Sequence, residues 1–298
     1  MTHTPELTTV LKELKQLTGI DLPAEQFDDG NASITAEELH NLCVAYREKY
    51  DKTHFFQNIV KGQLSVYDIN EQAAKLHIES QKLRQAFLLE SSAGVDDTLL
   101  SVLRHLCPAQ NGSILFPISE ERLMLLYPVS DRGIEEADIL QLAHSISDTL
   151  NMELLISVHV ACGPQIAHLS ELTDAYKKAS LALEVGKMFH AEQHVFLYDH
   201  LRTGRLIYHL PTSVCEDFLD EIFRGNVPSS IDSEMLTTIN RFLQNNMNIA
   251  ETARQLHMHR NTLIYRIEQV EKQTGLDIRK FEDAMTYKTA LMVMNYLK

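Results

Sequence analysis

The densest run of side chains able to do chemistry is His259-Arg260-Asn261-Thr262, followed by Tyr265, Arg266 and Lys272. All of them can donate hydrogen bonds, and Arg and Asn can do so bidentately to the edges of guanine and adenine. The chemistry on offer is recognition. No nucleophile elbow and no His-Glu-x-x-His pattern occurs in the chain, and no catalytic site is expected.

The elements that must position these groups are two short helical patterns around a break. The first runs from Ile249 to Leu256, with Ile249, Ala253 and Leu256 on one face. The second runs from about Asn261 to Lys272, with Leu263, Ile267 and Val270 apolar, and the break falls at His257-Met258-His259. Ala253 is small enough for two helices to cross closely, and Met258 is placed to pin the turn. This is the pattern of a helix-turn-helix, whose second helix enters the DNA major groove. Arg260, Asn261, Thr262, Tyr265 and Arg266 are expected to be exposed and to face bases. His259 and Lys272 are expected at phosphates, with the helix N-termini. The rival reading is a pair of amphipathic helices that never touches DNA. A supporting helix is expected over Glu234–Leu243. After Gly275, a last amphipathic helix over Phe281–Leu297 is expected to cover the core with Phe281, Ala284, Met285, Ala290, Leu291 and Met294.

The string Glu251-Thr252-Ala253, Leu256, His259-Arg260-Asn261-Thr262-Leu263 and Tyr265-Arg266 closely resembles the C-terminal domain of PucR/CdaR-type bacterial transcription regulators. More loosely it resembles the helix-turn-helix of the nucleoid protein Fis. The resemblance extends over roughly Gln85 to Lys298. It implies a cytoplasmic regulator that binds double-stranded DNA, commonly an activator of a catabolic or transport operon. It also implies a small-molecule effector, of a class the sequence does not choose, and a homodimer or higher homo-oligomer. No cofactor is expected. His257 stands where that turn often has glycine.

From Gln85 the texture changes. Ala86–Glu90 reads as a strand and Asp96–Leu106 as a helix. Ser113–Ile118 and Arg122–Pro128 read as a hairpin, and Ile134–Leu150 as a helix. Leu154–Cys162 reads as a buried strand ending at Gly163, Ser170–Gly186 as a helix and His194–Tyr198 as a last strand. The order β-α-β-β-α-β-α-β gives an α+β layer on a mixed sheet. It resembles the GGDEF-like, nucleotidyl-cyclase-related domain of the same regulators, a ferredoxin-like α+β arrangement. An active cyclase needs a glycine-rich, acidic turn in the hairpin. Here the turn is Pro117-Ile118-Ser119-Glu120-Glu121-Arg122, so the domain is expected to be degenerate. Glu90 lies near a first-strand metal carboxylate position with nothing to complete the site. The alternative function is a nucleotide-binding or cyclase-related signalling protein without DNA binding.

His190 and His194 are four apart but lack a carboxylate or cysteine at ligand spacing, so no metal is expected. Four scattered cysteines, Cys43, Cys107, Cys162 and Cys215, suit reduced thiols. No apolar run approaches the ~20 residues that span a bilayer, and no signal peptide is visible.

The net charge of −14, taken alone, argues against a nucleic-acid partner. Its distribution does not. Arg241–Lys298 carries nine Lys/Arg against six Asp/Glu, a net +3, and the remainder carries −17. A module of +3 suggests modest affinity alone and a need for paired binding. The chain is therefore expected to comprise a helical N-terminal region (1–82), a degenerate GGDEF-like domain (83–200), a helical connector (201–230) and an all-α helix-turn-helix domain (231–298). In the first of these, Leu7–Leu17 is amphipathic. Thr35 and Glu38 suit a capping box for a helix whose apolar positions include Leu39, Leu42, Cys43, Tyr46 and Tyr50. A helix over Asp199–Gly225 and a linker at Gly225–Ser230 complete the reading.

Overall fold

The computed structural model describes residues 9–12, 14–15, 39–43, 52–228 and 232–297. The expected capping box at Thr35 and Glu38 lies outside them, as do Tyr46 and Tyr50. Of the N-terminal apolar positions that are described, Leu39 and Cys43 are buried, but Leu42 is exposed. The chain forms two compact units, Met1–Leu183 with His194–Tyr198, and Glu184–Gln193 with Asp199–Lys298.

The first unit is built on a five-stranded sheet. In chain order its elements are α1 (Lys52–Val60), α2 (Val66–Lys75), β1 (Gln81–Ser91), α3 (Asp97–Leu106), β2 (Ile114–Pro117), β3 (Arg122–Pro128), α4 (Glu136–Leu154), β4 (Val158–His168), α5 (Leu172–Phe189, of which the residues from Glu184 on belong to the second unit) and β5 (Val195–Leu197). The strand order is β2-β3-β1-β4-β5. All neighbours are antiparallel except the pair β4 and β5, so the sheet is mixed as expected. The α+β order read from the sequence is the observed one.

β1 is central because it can be buried on both faces. Its run Ala86-Phe87-Leu88-Leu89 is wholly buried. Phe87 and Leu89 join Leu99 and Leu103 of α3 and Ile139, Ala143 and Ile146 of α4 in one core. Elsewhere in the unit, Phe56 of α1 stacks on Phe116 of β2, ring centroids 4.8 Å apart.

Both ends of β4 differ from the sequence reading. Leu154–Ile156 is not strand. α4 runs on to Leu154, and Leu155 turns the chain at φ 54° with its side chain exposed. Asn151 and Ser147 of α4 then hold the strand start, taking the Val158 N–H (2.9 Å) and donating to its carbonyl (3.1 Å). Nor does β4 end at Gly163. The ladder shifts register there against β1, and the buried Gln85 side chain donates to the Gly163 carbonyl at 2.7 Å. The strand is irregular there rather than finished, a usual meaning of glycine inside a strand.

Gly163 also lets α5 lie close. A Cβ at that position would sit 3.2 Å from the Ala175 carbonyl oxygen and 3.3 Å from the Ala179 Cβ.

The second unit is helical: α6 (Arg202–Tyr208), α7 (Thr212–Phe223), α8 (Ser233–Gln244), α9 (Ile249–Gln255), α10 (Arg260–Thr274) and α11 (Phe281–Tyr296). Asp199–Gly225 is two helices, not one. Pro211, with no N–H and a fixed φ of −60°, stands at the start of α7 and closes off α6. Ile207, Cys215, Leu219 and Phe223, from the expected connector, share one core with Ile239, Phe242, Leu263, Ile267 and Tyr287. On α11 the buried stripe is Ala284, Tyr287, Leu291 and Met294, whereas Phe281 and Met285 are exposed. At about 100° per residue those two point well away from the stripe, so counting apolar residues without phase overestimates the buried face.

Replacing Gly163 by valine should lower the stability of the sheet unit by about 1–3 kcal/mol through overpacking against α5. Urea unfolding of the full chain, read from sheet-unit probes, checks this.

Candidate nucleic-acid interface

The second unit positions the donor-rich run through a sequence of local devices. Asn248 caps α9, its side-chain oxygen accepting the Glu251 N–H at 3.1 Å. Thr252, fully buried, returns a hydrogen bond to the Asn248 carbonyl at 2.7 Å. Asn245, just beyond α8, donates to Thr252 (3.2 Å) and to Gln255 (3.1 Å), tying α8 to α9. Glu251 accepts from Arg254 (2.7 Å) and Gln255 (2.6 Å). Those bonds, the Arg254 one first, hold its carboxyl below the usual range.

The turn is made by His257, whose φ is 51°. Glycine adopts that left-handed conformation without steric penalty, and histidine visits it more readily than bulkier residues. So His257 occupies the glycine-type position with the glycine-type backbone, and the turn keeps its course. Met258 then packs against the core and Ala253 is buried in it.

His259 caps α10, its Nδ1 accepting the Asn261 N–H at 3.2 Å. A ring whose Nδ1 accepts carries its proton on Nε2, which leaves a donor facing outward. Gly275 ends the helix at φ 81°. Along α10, Leu263, Ile267, Val270 and Thr274 are buried. Turning about 100° per residue, the opposite side carries Asn261, Thr262, Tyr265 and Lys272, all exposed. Arg260 and His259, at the start, are exposed as well.

Arg266 departs from expectation. Its side chain is only 16% exposed and is paired with Glu234 of α8, while a second nitrogen hydrogen-bonds the Thr238 hydroxyl. Position 266 lies about 40° from Val270 around the helix, on the shoulder of the buried stripe. The arginine therefore clamps α10 to α8 and does not stand among the exposed donors. One exposed residue was missed: Glu268, three after Tyr265 and seven after Asn261, shares the outward face. Helical spacing alone would have found it, since a carboxylate there can accept from the cytosine amino group.

Several other groups have local explanations. Glu90 accepts a hydrogen bond from Arg122 at 2.8 Å, so this carboxylate is engaged by a cation. Glu120 and Glu121 are exposed on the tight hairpin turn. His194 rests beside His159, ring centroids 5.1 Å apart, and no group of three or more potential metal ligands occurs among the described residues. Burial raises the Cys162 thiol to about 12 and the Cys107 thiol to about 11, so neither is a thiolate at neutral pH. No described helix is long and apolar enough to cross a membrane.

Four substitutions separate positioning from display. His257→Gly should stabilise the helical unit by up to about 1 kcal/mol, and His257→Val should weaken it by about 1–2 kcal/mol. Arg266→Ala should cost about 1–2 kcal/mol, while the exposed Arg260→Ala should stay within about 0.5 kcal/mol of the parent. Urea unfolding reports all four.

The sequence matches two known domain families. Residues 235–293 match the PucR C-terminal helix-turn-helix domain, and residues 61–185 match the GGDEF-like domain. The chain is 28% identical over 130 residues to the purine catabolism regulatory protein of Bacillus subtilis (strain 168), covering 43% of this chain and 24% of that protein. It is 24% identical over 143 residues to the proline-responsive transcriptional activator PutR of the same organism, covering 46% and 34%. To the carbohydrate diacid regulator of Escherichia coli (strain K12) it is 20% identical over 270 residues, covering 88% and 70%. The chain thus spans about a quarter to a third of the length of the first two relatives. With a GGDEF-like domain followed by a PucR C-terminal helix-turn-helix domain, the chain belongs to the PucR/CdaR type.

Proposed function

We propose that this protein is a cytoplasmic, non-enzymatic transcription regulator that binds operator DNA through α10 as a homodimer. In this reading it responds to a small-molecule effector and activates a catabolic or transport operon. The observation that carries the reading is the exposure on α10 of Arg260 in its first turn and of Asn261, Thr262 and Tyr265 beyond it, while Leu263, Ile267 and Val270 are buried. The names of the relatives, among them a transcriptional activator and two regulators of catabolism or carbohydrate diacids, agree with it.

Arg260 and Asn261 are assigned to base edges, where each bidentate pair discriminates by about 1–3 kcal/mol. Thr262 and Tyr265 contact the neighbouring bases, the Tyr265 ring offering an apolar surface to a thymine methyl. Glu268 tests for cytosine. His259, through Nε2, and Lys272 hold phosphates, which set register but carry no sequence information. Arg266 supports the face from behind.

The charge distribution shapes the assembly. A reading module of +3 on a body of −17 draws little affinity from non-specific phosphate attraction. Two modules on half-sites about 34 Å apart multiply a modest affinity. An effector with different affinities for two states then shifts how the modules are presented.

Arg260→Ala should weaken specific operator binding by about 10- to 100-fold with the unfolding curve unchanged; equal affinity in a footprinting titration would defeat the assignment. Lys272→Ala should weaken binding evenly across sequences and reduce the slope of log affinity against log salt by about one per module.

A further inference from the structure

We propose that the cavity between α1, the start of β1 and β2 in the sheet unit binds a small organic carboxylate. The cavity measures about 370 Å³, within the size range of small-ligand sites. Among the described residues that line it, four are cationic, Lys52, Lys82, Arg84 and Arg104, and one is acidic, Glu79. Glu79 is largely exposed and spends its carboxylate on Lys82, 3.6 Å away.

Arg84 is the decisive group. It is 2% exposed, yet no described carboxylate hydrogen-bonds to it. Its two terminal nitrogens donate to backbone carbonyls, those of Lys82 (3.1 Å) and Glu79 (2.7 Å), and its Nε–H has no hydrogen-bond partner. Burial pulls its pKa down, against the weaker pull of Glu79 upward. A buried guanidinium is normally matched by a carboxylate or phosphate. Ser113, 7% exposed and also lining the cavity, has a hydroxyl without a partner. Two buried polar groups left unsatisfied at one cavity mark a place where ligand atoms complete the bonding.

The apolar lining narrows the class. Phe56 and Phe116, the stacked pair, both face this space with Ile114 and Leu115 nearby. A carboxylate with a hydrocarbon or aromatic body satisfies both the guanidinium edge and these rings, whereas inorganic phosphate satisfies only the first. As the effector site of the regulator proposed above, the cavity rests on that reading. As a carboxylate site it rests on its own geometry, and it is tested without DNA.

The test is calorimetric titration of the full chain with benzoate and succinate, with benzamide and succinamide as neutral counterparts and inorganic phosphate as the bare anion. At least one carboxylate should bind one-to-one, its amide about tenfold or more weaker. Arg84→Gln should abolish that binding. Because Arg84 is buried, the double variant K82Q/R104Q, at less buried positions, should keep the parent unfolding curve and still weaken binding about tenfold. The proposal is overturned if neither carboxylate binds up to about 10 mM, if the amides bind as well, if phosphate is the only anion bound, or if K82Q/R104Q binds like the parent. Carboxylate binding by a protein that fails to bind DNA would uphold the site and remove only its role as effector site.

Discussion

Burial of Leu263, Ile267 and Val270 decides what α10 can present. Each is at most 1% exposed, and they share a core with Ile239, Phe242 and Tyr287 from the flanking helices. A helix fixed on one side has no rotational freedom left, so its opposite side is fixed as well. That is why Asn261, Tyr265 and Lys272 face outward together although no contact between them requires it. Arg266 adds to the same constraint from the shoulder of the stripe, by its bonds to Glu234 and Thr238. The turn that feeds α10 is set by His257 in a left-handed conformation, and the first turn of the helix by the His259 cap. Recognition groups gain precision when their orientation is determined before the partner arrives.

The sheet unit shows the same economy with a different outcome. Its central strand is buried on both faces, which fixes β1 against β3 and β4. Glu90 is drawn to Arg122 on β3. The hairpin between β2 and β3 closes without glycine and leaves Glu120 and Glu121 in solvent. Among the described residues of this unit, buried side-chain atoms without a hydrogen-bond partner occur on Arg84, Gln85, Ser113 and Ser180, and two of these, Arg84 and Ser113, line the cavity beside α1.

Much of this was legible in the sequence because period and punctuation agree. The order of strands and helices followed from apolar runs and their spacing, and the helix-turn-helix from Ile249, Ala253, Leu263 and Ile267. What was not legible depended on three dimensions. Nothing in the string around Arg266 says that its guanidinium finds Glu234, thirty-two residues away. Gly163 looked like a strand end because the side chain that satisfies its carbonyl, Gln85, lies on a strand seventy-eight residues distant. Phe281 and Met285 looked like core because composition carries no phase. The cavity at Arg84 was invisible for the same reason, since its cations come from α1, β1 and α3.

In the function proposed above, the outward face of α10 reads base edges in the major groove. Dimethyl sulfate footprinting measures this most directly, because it reports guanine N7 in the major groove separately from adenine N3 in the minor groove. On the promoter DNA beside its own gene, the protein should protect guanine N7 positions in two clusters about one helical turn apart, and Arg260→Ala should unmask one guanine in each. Protection confined to adenine N3, or guanine protection that Arg260→Ala leaves intact, would contradict the account.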